Sequence, residues 1–558
     1  MIPLFKFNGG VKPASHKSQS VTEAIGIAPL PSRLVVPLHQ SIGGTPRPVV
    51  KPGDRVRKGQ LIGEADGWIS AAVHAPTSGT VRDVGMYIQP HPSGLAAASV
   101  LIEPDGQEEW IERTPVDYTR LPLPEVQKLL QQAGVVGLGG AAFPAHGKLV
   151  APEREPIDTL IINGGECEPY ITCDDMLMRE RAEGIVRGTA IYRDLLQAKK
   201  VLIGIEDNKP EAIAAMRAAV AALGENFAVV AVPAIYPAGS AKQLIRMLTG
   251  KEVPVGKLPT TIGIQCYNVA TAYATWRALA HGEPLISRLL TLTGNVERPR
   301  NWEVLIGTPI DELLALAAPK ADTDGIIMGG PMMGFAVPDR QVSTIKASNC
   351  LIARSPALFP PPPPEMPCIR CGECARACPA DLQPFEMYWF ARAKNFGKAQ
   401  DYHVFDCIEC GCCSFVCPSH IPLVQYFRFA KSEIWAREND KKAADGAKER
   451  FESKKAREER EKAEKAEKLA KAAAAQAAKK AAESQSGPAG TTTAADDPEA
   501  AKKAAIAAAM ERAAAQRANA QPQNTEALTY AQQREIEAVE ARRIAAGLGE
   551  NASENPPS

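Results

Sequence analysis

"CIRCGECARACPADL", Cys368 to Leu382, places Cys368, Cys371, Cys374 and Cys378 within eleven residues and follows the last at once with Pro379. About forty residues on, "CIECGCCSFVCPSHI" repeats the arrangement as Cys407, Cys410, Cys413 and Cys417, again followed by a proline, Pro418. Tandem C-x2-C-x2-C-x3-C-P runs have the spacing that holds two 4Fe-4S cubanes, three close cysteines on one and the fourth crossing to the other. The reason is geometric: a short loop wraps three corners of a cubane, while the residue after the helical turn points toward its neighbour. Cys368, Cys371 and Cys374 therefore pair with Cys417, and Cys407, Cys410 and Cys413 with Cys378. Zinc and disulfides are the competing uses of such thiols. Structural zinc takes two separated C-x2-C pairs and has no need of a third cysteine at this spacing. Cys412 has no place in the pattern and reads as a packed thiol.

Composition sets the frame around these runs. A chain of 558 residues is long enough for three or four domains, each with its own core. Lys plus Arg equals Asp plus Glu at 64 each, so no net charge points to nucleic acid or to an acidic membrane surface. Beyond the eight expected ligands and Cys412, the cysteines are scattered as Cys167, Cys173, Cys266 and Cys350, which is no disulfide framework and suits a reducing compartment. "MIPLFKFNGGVKP" has no apolar stretch of the kind that begins a secretory signal, and no run of eighteen apolar residues occurs. The expectation is a chain that is neither secreted nor membrane-spanning by itself.

Residues from about 31 to 115 read as short strands, with "VVKPGDRVRKGQLIGEA" and "AAVHAPTSGTVRDVG" as two half-motifs similar to the barrel-sandwich hybrid of biotinyl and lipoyl carriers. The hairpin tip, "EADGWIS" from Glu64 to Ser70, lacks the carrier lysine, so a scaffold is expected rather than a swinging arm. From 116 to 290 helix and strand alternate. "PEVQKLLQQAG" carries Val126, Leu129 and Leu130 at helical spacing; "DTLIIN" and "KKVLIGI" are apolar strands; "PEAIAAMRAAVAAL" opens on Pro210; and "AKQLIRMLTG" has Ser240 as N-cap and Gly250 as stop. Strands separated by helices predict a layered, parallel α/β domain. Residues 290 to 355 return to short strands and turns, and Pro360 to Pro364 form a stiff spacer before the cysteine runs. Beyond about 430 the chain is rich in Ala, Lys, Glu and Arg, with Glu461 and Lys465, Glu464 and Lys468, and Glu467 and Lys471 as i to i+4 pairs and no apolar stripe; "SQSGPAGTTTAADDPE" reads as a disordered hinge.

Clusters pass single electrons and nicotinamides deliver two, so a flavin normally stands between them. The glycine loop to hold one is "GVVGLGGAAFPAHGKL", Gly134 to Leu149. Gly137, Gly139 and Ala142 formally satisfy G-x-G-x-x-G/A, but a helix rather than a strand precedes them, which is the wrong frame for a Rossmann fingerprint. The succession "GLGGAAFPAHGKL", "LIINGGECEPYITCDD", "YPAGSAKQL" and "NVATAY" closely resembles the RnfC (RsxC) family of the Rnf ion-translocating electron transport complex, and more distantly the flavin and NADH-binding subunit of respiratory complex I. The resemblance runs from "FNGGVKP" to "IPLVQYFR", roughly residues 7 to 428.

That resemblance implies a noncovalent FMN and NAD(H) as substrate, held by Gly137, Gly139, Gly140, Phe143, Lys148, Asn163, Glu166, Glu168, Tyr236, Gly239 and Asn268, with Lys148 suited to the flavin phosphate. Joined to the strand, cysteine and tail patterns above, it divides the chain into five expected segments: a barrel-sandwich hybrid at 1–115, a complex I-like FMN/NADH domain at 116–290, a β-grasp domain at 291–355, a two-cluster ferredoxin-like domain at 356–430 and a low-complexity tail at 431–558. Function follows as a peripheral subunit on the cytoplasmic side of the bacterial inner membrane. It would relay electrons between NAD(H), two 4Fe-4S clusters and partner subunits, ferredoxin or flavodoxin, coupled to ion movement. The chain departs from the complex I pattern at Ala142 (glycine there), Gly165 (an acid there), and Ser240 and Ala241 (paired glutamates there). An iron-sulfur adaptor without flavin, docking a ferredoxin or a partner subunit, is the alternative.

Overall fold

The computed structural model describes residues 3–151 and 153–483, together with Ala507, Ile536 and Val539. Two units result, 1–446 and 447–558.

Residues 3–30 hold little regular structure. They carry β1 (Gly26–Ile27), which joins a distant sheet, so the barrel sandwich proper starts near residue 31. It is built from two small antiparallel sheets. One contains β2 (Leu34–Pro37), β4 (Arg55–Val56), β7 (Gly79–Ile88) and β8 (Ala96–Pro104), and the other β3 (Arg47–Pro48), β5 (Leu61–Glu64) and β6 (Val73–His74). Leu34, Val36, Val56, Ile62, Val81 and Ile102 fill the space between them. The hairpin tip is bonded to the next domain: Gln131 Nε2 donates to Gly67 O at 2.9 Å and His146 Nε2 to Trp68 O at 2.8 Å.

That domain opens with α1 (Leu123–Gln132) and builds an all-parallel sheet. In chain order come β9 (Thr159–Gly164), α2 (Cys173–Glu180), α3 (Ala182–Leu196), β10 (Lys200–Glu206), α4 (Pro210–Ala222), β11 (Ala228–Val232), α5 (Ala241–Thr249), β12 (Ile264–Asn268) and α6 (Val269–His281). The strand order is β11-β10-β9-β12, so the chain adds strands to one side of β9 and then crosses to the other. A doubly wound frame therefore exists, although the glycine loop precedes its first strand and could not disclose it. Gly250 ends α5 in the left-handed region at φ 71°, as its position in the sequence predicted. Ser240 occupies the N-cap position in extended backbone without donating or accepting a capping bond through its side chain.

A six-stranded mixed sheet follows, ordered β1-β14-β13-β17-β15-β16. Its strands are β13 (Ser287–Gly294), β14 (Arg300–Leu305), β15 (Gly325–Met328), β16 (Phe335–Ala336) and β17 (Cys350–Arg354), covered by α7 (Ile310–Ala317). The boundary expected between residues 290 and 291 falls inside β13: Leu290 and Leu292 share one core, which hydropathy alone could not divide.

The cysteine domain is helical: α8 (Glu373–Arg376), α9 (Pro384–Arg392), α10 (Phe396–Asp401), α11 (Cys412–Phe415) and the start of α12 (Leu423–Glu483). Phe427, Ala430 and Ile434 of α12 are buried with Met387 and Tyr388 of α9, so the helix is part of this core before it becomes polar. Beyond Gly446 the described side chains of α12 up to Ala481 are exposed. Of the three anticipated charge pairs, Glu467 and Lys471 close at 2.7 Å, while Glu461 is paired with Arg457 at 3.7 Å. The anticipated hinge at 484–499 lies outside the described residues. Among the described residues no helix is long and apolar enough to cross a membrane.

Candidate flavin crevice and iron-sulfur sites

The two cysteine runs fold alike because their sequences repeat. Arg370 and Glu409, Gly372 and Gly411, and Asp381 and His420 are equivalent positions, and all six have left-handed backbone, φ between 52° and 81°. The first four reversals curl each loop before the short helices α8 and α11, and the last two turn the chain after them. Cys368, Cys371, Cys374 and Cys417 line one small cavity with Phe385 and Leu423. Cys378, Cys407, Cys410 and Cys413 line a second with Met387 and Phe427. The first cavity thus gathers three cysteines of one run and the last of the other, and the second does the same with Cys412 as a fifth lining cysteine.

The donor sets suit a polynuclear cluster. Four sulfurs on one zinc at about 2.3 Å would lie roughly 3.8 Å apart. Among the described residues, the one group of three or more His, Cys, Asp or Glu ligand atoms within 4.8 Å is Glu166, Cys173 and Asp174, and no cysteine of the runs belongs to such a group. None of the thirteen cysteines is in a disulfide. Burial pushes the Cys374 and Cys407 thiols up to about 11, opposed by backbone N–H groups of Phe385 and Ala375 on Cys374 and of Glu409 on Cys407. Thiolates this deep become favourable when iron shares their charge, and N–H donors on the sulfurs are what tune cluster potentials. Cys412 is fully buried among Val11, Tyr236 and Cys410.

Five of the residues expected to hold a nucleotide, Gly137, Gly139, Asn163, Gly239 and Asn268, lie together at the carboxyl end of the parallel sheet. Asn163 is the penultimate residue of β9 and Asn268 the last of β12, and the two are register partners on neighbouring strands. Between these strands the winding reverses, and a ligand crevice forms outside the strand ends of such sheets at that point. Asn268 also caps α6, its side chain accepting from Ala270 N at 2.9 Å. The glycine loop enters from the side: Leu138 N donates to Thr271 Oγ1 at 2.9 Å, and a Cβ on Gly139 would sit 3.3 Å from Asn268. Gly137 N donates to Phe143 O at 2.7 Å, closing the loop, and Gly140 is exposed at φ 114° with open space around it. Asn163 Nδ2 donates to Gly239 O at 2.8 Å, and a Cβ on Gly239 would strike Gly165 O at 2.3 Å.

Other predicted residues stand apart from this group. Lys148 donates to the Cys266 carbonyl and lies 4.6 Å from the Tyr267 ring centre, at the β12 edge; burial lowers its pKa. Phe143 is half-buried against Gly147. Glu166 caps α2, accepting from Asp174 N at 2.8 Å and Asp175 N at 3.3 Å, and burial pushes it up to about 7. Glu168 faces away from the asparagines: it accepts from Met333 N at 2.8 Å and Met332 N at 3.2 Å in the "GGPMMG" turn, and burial raises it to about 7. Tyr236, 3% exposed, donates to the Cys410 carbonyl at 2.7 Å. Backbone bonds in both directions between Val11 and Tyr236, and one from Gly10 N to Ala377 O at 3.0 Å, fasten the same junction.

Three polar residues at the crevice escaped the sequence reading. Asp174 accepts from Asn268 Nδ2 at 2.6 Å; the acids of "TCDD" were its only signal. Arg288 donates to Leu138 O at 2.7 Å from β13, fixing the glycine loop across a domain boundary. Lys209, buried with Glu206, approaches Glu166 O at 3.4 Å.

Four family models match the chain in succession: the RnfC barrel sandwich hybrid domain at 5–107, the Nuo51 FMN-binding domain at 130–277, the SLBB domain at 289–336 and a 4Fe-4S dicluster domain at 367–421. The matched models together define a protein with an FMN-binding domain and a 4Fe-4S dicluster domain. The relatives narrow this further. The C subunit of an ion-translocating oxidoreductase complex from Pseudomonas aeruginosa is 48% identical over 461 residues, 82% of this chain and 59% of that one. Proteins of the same description from Serratia proteamaculans (46% identity, 72% of this chain, 57% of that one) and Haemophilus influenzae strain PittEE (44%, 81% and 70%) agree. The chain belongs to this family of C subunits, RnfC. It spans 59% and 57% of the length of the first two of these relatives. A slight likeness, TM-score 0.40 at 19% identity over 50% of this chain and 54% of the other, is to a chain of an NAD+-reducing [NiFe]-hydrogenase.

Proposed function

We propose that this chain exchanges electrons with NAD(H) at an FMN held noncovalently in the crevice between β9 and β12, and relays them through two 4Fe-4S clusters. It acts as a peripheral subunit of an ion-translocating complex on the cytoplasmic side of the bacterial inner membrane. Its partners are the membrane-embedded and iron-sulfur subunits of that complex, with ferredoxin or flavodoxin as the soluble redox partner. The observation that carries this reading is the direct contact between the crevice domain and a cluster loop, Tyr236 Oη to Cys410 O at 2.7 Å.

When bound, the FMN supplies the change between hydride and single-electron chemistry. The chain's residues supply position and electrostatics. The amides of Asn163 and Asn268 present donors and acceptors at the strand ends, the glycine loop lets backbone approach a planar ring closely, and Lys148 brings positive charge to the phosphate side by exchanging its carbonyl partner. At the clusters, Cys368, Cys371, Cys374 and Cys417 hold one and Cys407, Cys410, Cys413 and Cys378 the other. Cys371 is exposed, with Ile369 beside it 68% exposed, which offers an edge for one-electron exchange with a partner.

Anaerobic purification with flavin and iron quantified together, followed by NADH titration, tests the reading; one FMN, eight iron atoms and clusters bleached by NADH are expected. Lys148→Ala should weaken FMN roughly tenfold or more, as for a charge-assisted contact of about 1.5–3 kcal/mol, with iron unchanged. A wild-type chain that takes up no FMN and whose clusters ignore NADH is the flavin-free adaptor instead.

A further inference from the structure

The loop from Glu166 to Ile171 stands beside the crevice, and its backbone turns three carbonyls toward one point. Lys17 fills that point. Its Nζ donates to Glu166 O at 2.8 Å, to Glu168 O at 2.8 Å and to Ile171 O. An ammonium has three N–H donors, and here each finds an acceptor on the same loop. Lys17 reaches this place from the N-terminal arm, which is itself tied down on both sides: Val11 pairs with Tyr236, Tyr170 N donates to Ser15 O at 2.8 Å, His16 stacks on Tyr170 at 4.7 Å, and Ser20 Oγ meets Thr172 Oγ1 at 2.8 Å. The arm and the loop are about 150 residues apart in sequence, so nothing local makes the loop curl.

Without a cation those carbonyls would converge unpaired, and lone pairs aimed at one another repel. The neighbouring Lys209 reaches only Glu166 O, at 3.4 Å, and its own ammonium is engaged with Glu206. The loop orders the wall of the crevice: Glu166 caps α2, whose Asp174 holds Asn268, and Gly165 N donates to Asn163 Oδ1 at 2.9 Å.

We infer that Lys17 is a positioning residue: a built-in cation, delivered by the N-terminal arm, that shapes the 166–171 loop and through it the nucleotide crevice. This rests on the crevice being the FMN and NAD(H) site. A cation held by a carbonyl cage can be replaced by a small free one, and that separates this role from ordinary packing.

The test uses the full chain, reconstituted anaerobically with iron, sulfide and FMN. Lys17→Ala should bind FMN roughly tenfold more weakly, about 1.4 kcal/mol, and raise the NADH KM more than it lowers kcat, with iron unchanged. Millimolar methylammonium should restore FMN binding and raise the melting temperature of Lys17→Ala, while trimethylammonium, too large for the cage, should do neither. Lys17→Met, whose side chain occupies the space without donors, should show the defect and no rescue. FMN binding by Lys17→Ala equal to wild type, or a loss that methylammonium leaves untouched, overturns the inference. If Lys17→Ala does not fold alone, it must fold and bind FMN when refolded in millimolar methylammonium; its failure there overturns the inference as well. A wild-type chain without FMN affinity defeats the flavin reading alone, and the methylammonium-dependent melting of Lys17→Ala then decides the role of Lys17 by itself.

Discussion

Ala142 occupies the position where the complex I flavin loop has glycine, and it sits in the left-handed region at φ 47°, buried, with its carbonyl accepting from Ile42 N. For a residue with a Cβ that conformation costs roughly 1–2 kcal/mol. Replacing it with glycine relieves the strain, but an added glycine loses about 0.5–1 kcal/mol in chain entropy and a buried methyl about 0.8 kcal/mol. The terms nearly cancel. Ala142→Gly should therefore melt close to wild type and bind FMN at least as tightly. Ala142→Val puts a β-branched residue where its backbone is disfavoured, and should lower both the melting temperature and flavin content. Thermal melts with flavin fluorescence check the pair, and a Val variant with unchanged flavin content would show that the loop conformation is immaterial to the site.

At the scale of elements, the short helices α8 and α11 each carry the third cysteine of a run and aim the fourth away from it. Cys417 consequently faces Cys368, Cys371 and Cys374 across the domain, although it is only four residues beyond Cys413. Cys417→Ala should abolish the same reduced-state EPR signal as Cys371→Ala, and Cys378→Ala the same signal as Cys407→Ala. A domain in which Cys417→Ala removes the signal of Cys407 instead would have uncrossed ligation. The anaerobically reconstituted full chain serves for all four variants.

Across the whole first unit, buried polar contacts join domains that the sequence lays end to end. Lys346, 1% exposed, donates to Ala72 O of the barrel sandwich and to Gly134 O after α1, each at 2.7 Å. Burial lowers its pKa from 10.5 to about 7. Between those values the unfolded chain keeps a proton that the folded chain has released, so this group's contribution to stability increases as pH rises from about 7 toward 10.5. Lys346→Met should flatten that rise and be the less stable chain toward the high-pH end, where two buried carbonyls lose a donor at about 1–3 kcal/mol each and little deprotonation cost remains to be relieved. Melting curves of the holo chain from pH 7 to 9.5 provide the measurement; a wild-type slope retained by Lys346→Met would assign it to another group.

Short-range signals carried much of this protein into view. Cysteine spacing alone led to the crossed ligand sets, because a cubane's size and a loop's reach leave few ways to satisfy eight thiolates. Helices such as α1, α4 and α5 were legible from periodicity and from their Pro and Gly boundaries, which act within a turn. The crevice residues became legible through family resemblance. What they do there was a tertiary matter. Glu168 and Tyr236 belong to the same stretch of motifs as Asn163 and Asn268, yet they turn toward the "GGPMMG" turn and the Cys410 loop. Nor could local sequence show that Lys17, Arg288 and Lys346 close the structure between segments. A buried ammonium or guanidinium must find acceptors wherever the packed chain places them, and that requirement is met by distance in space, to which position along the chain is no guide.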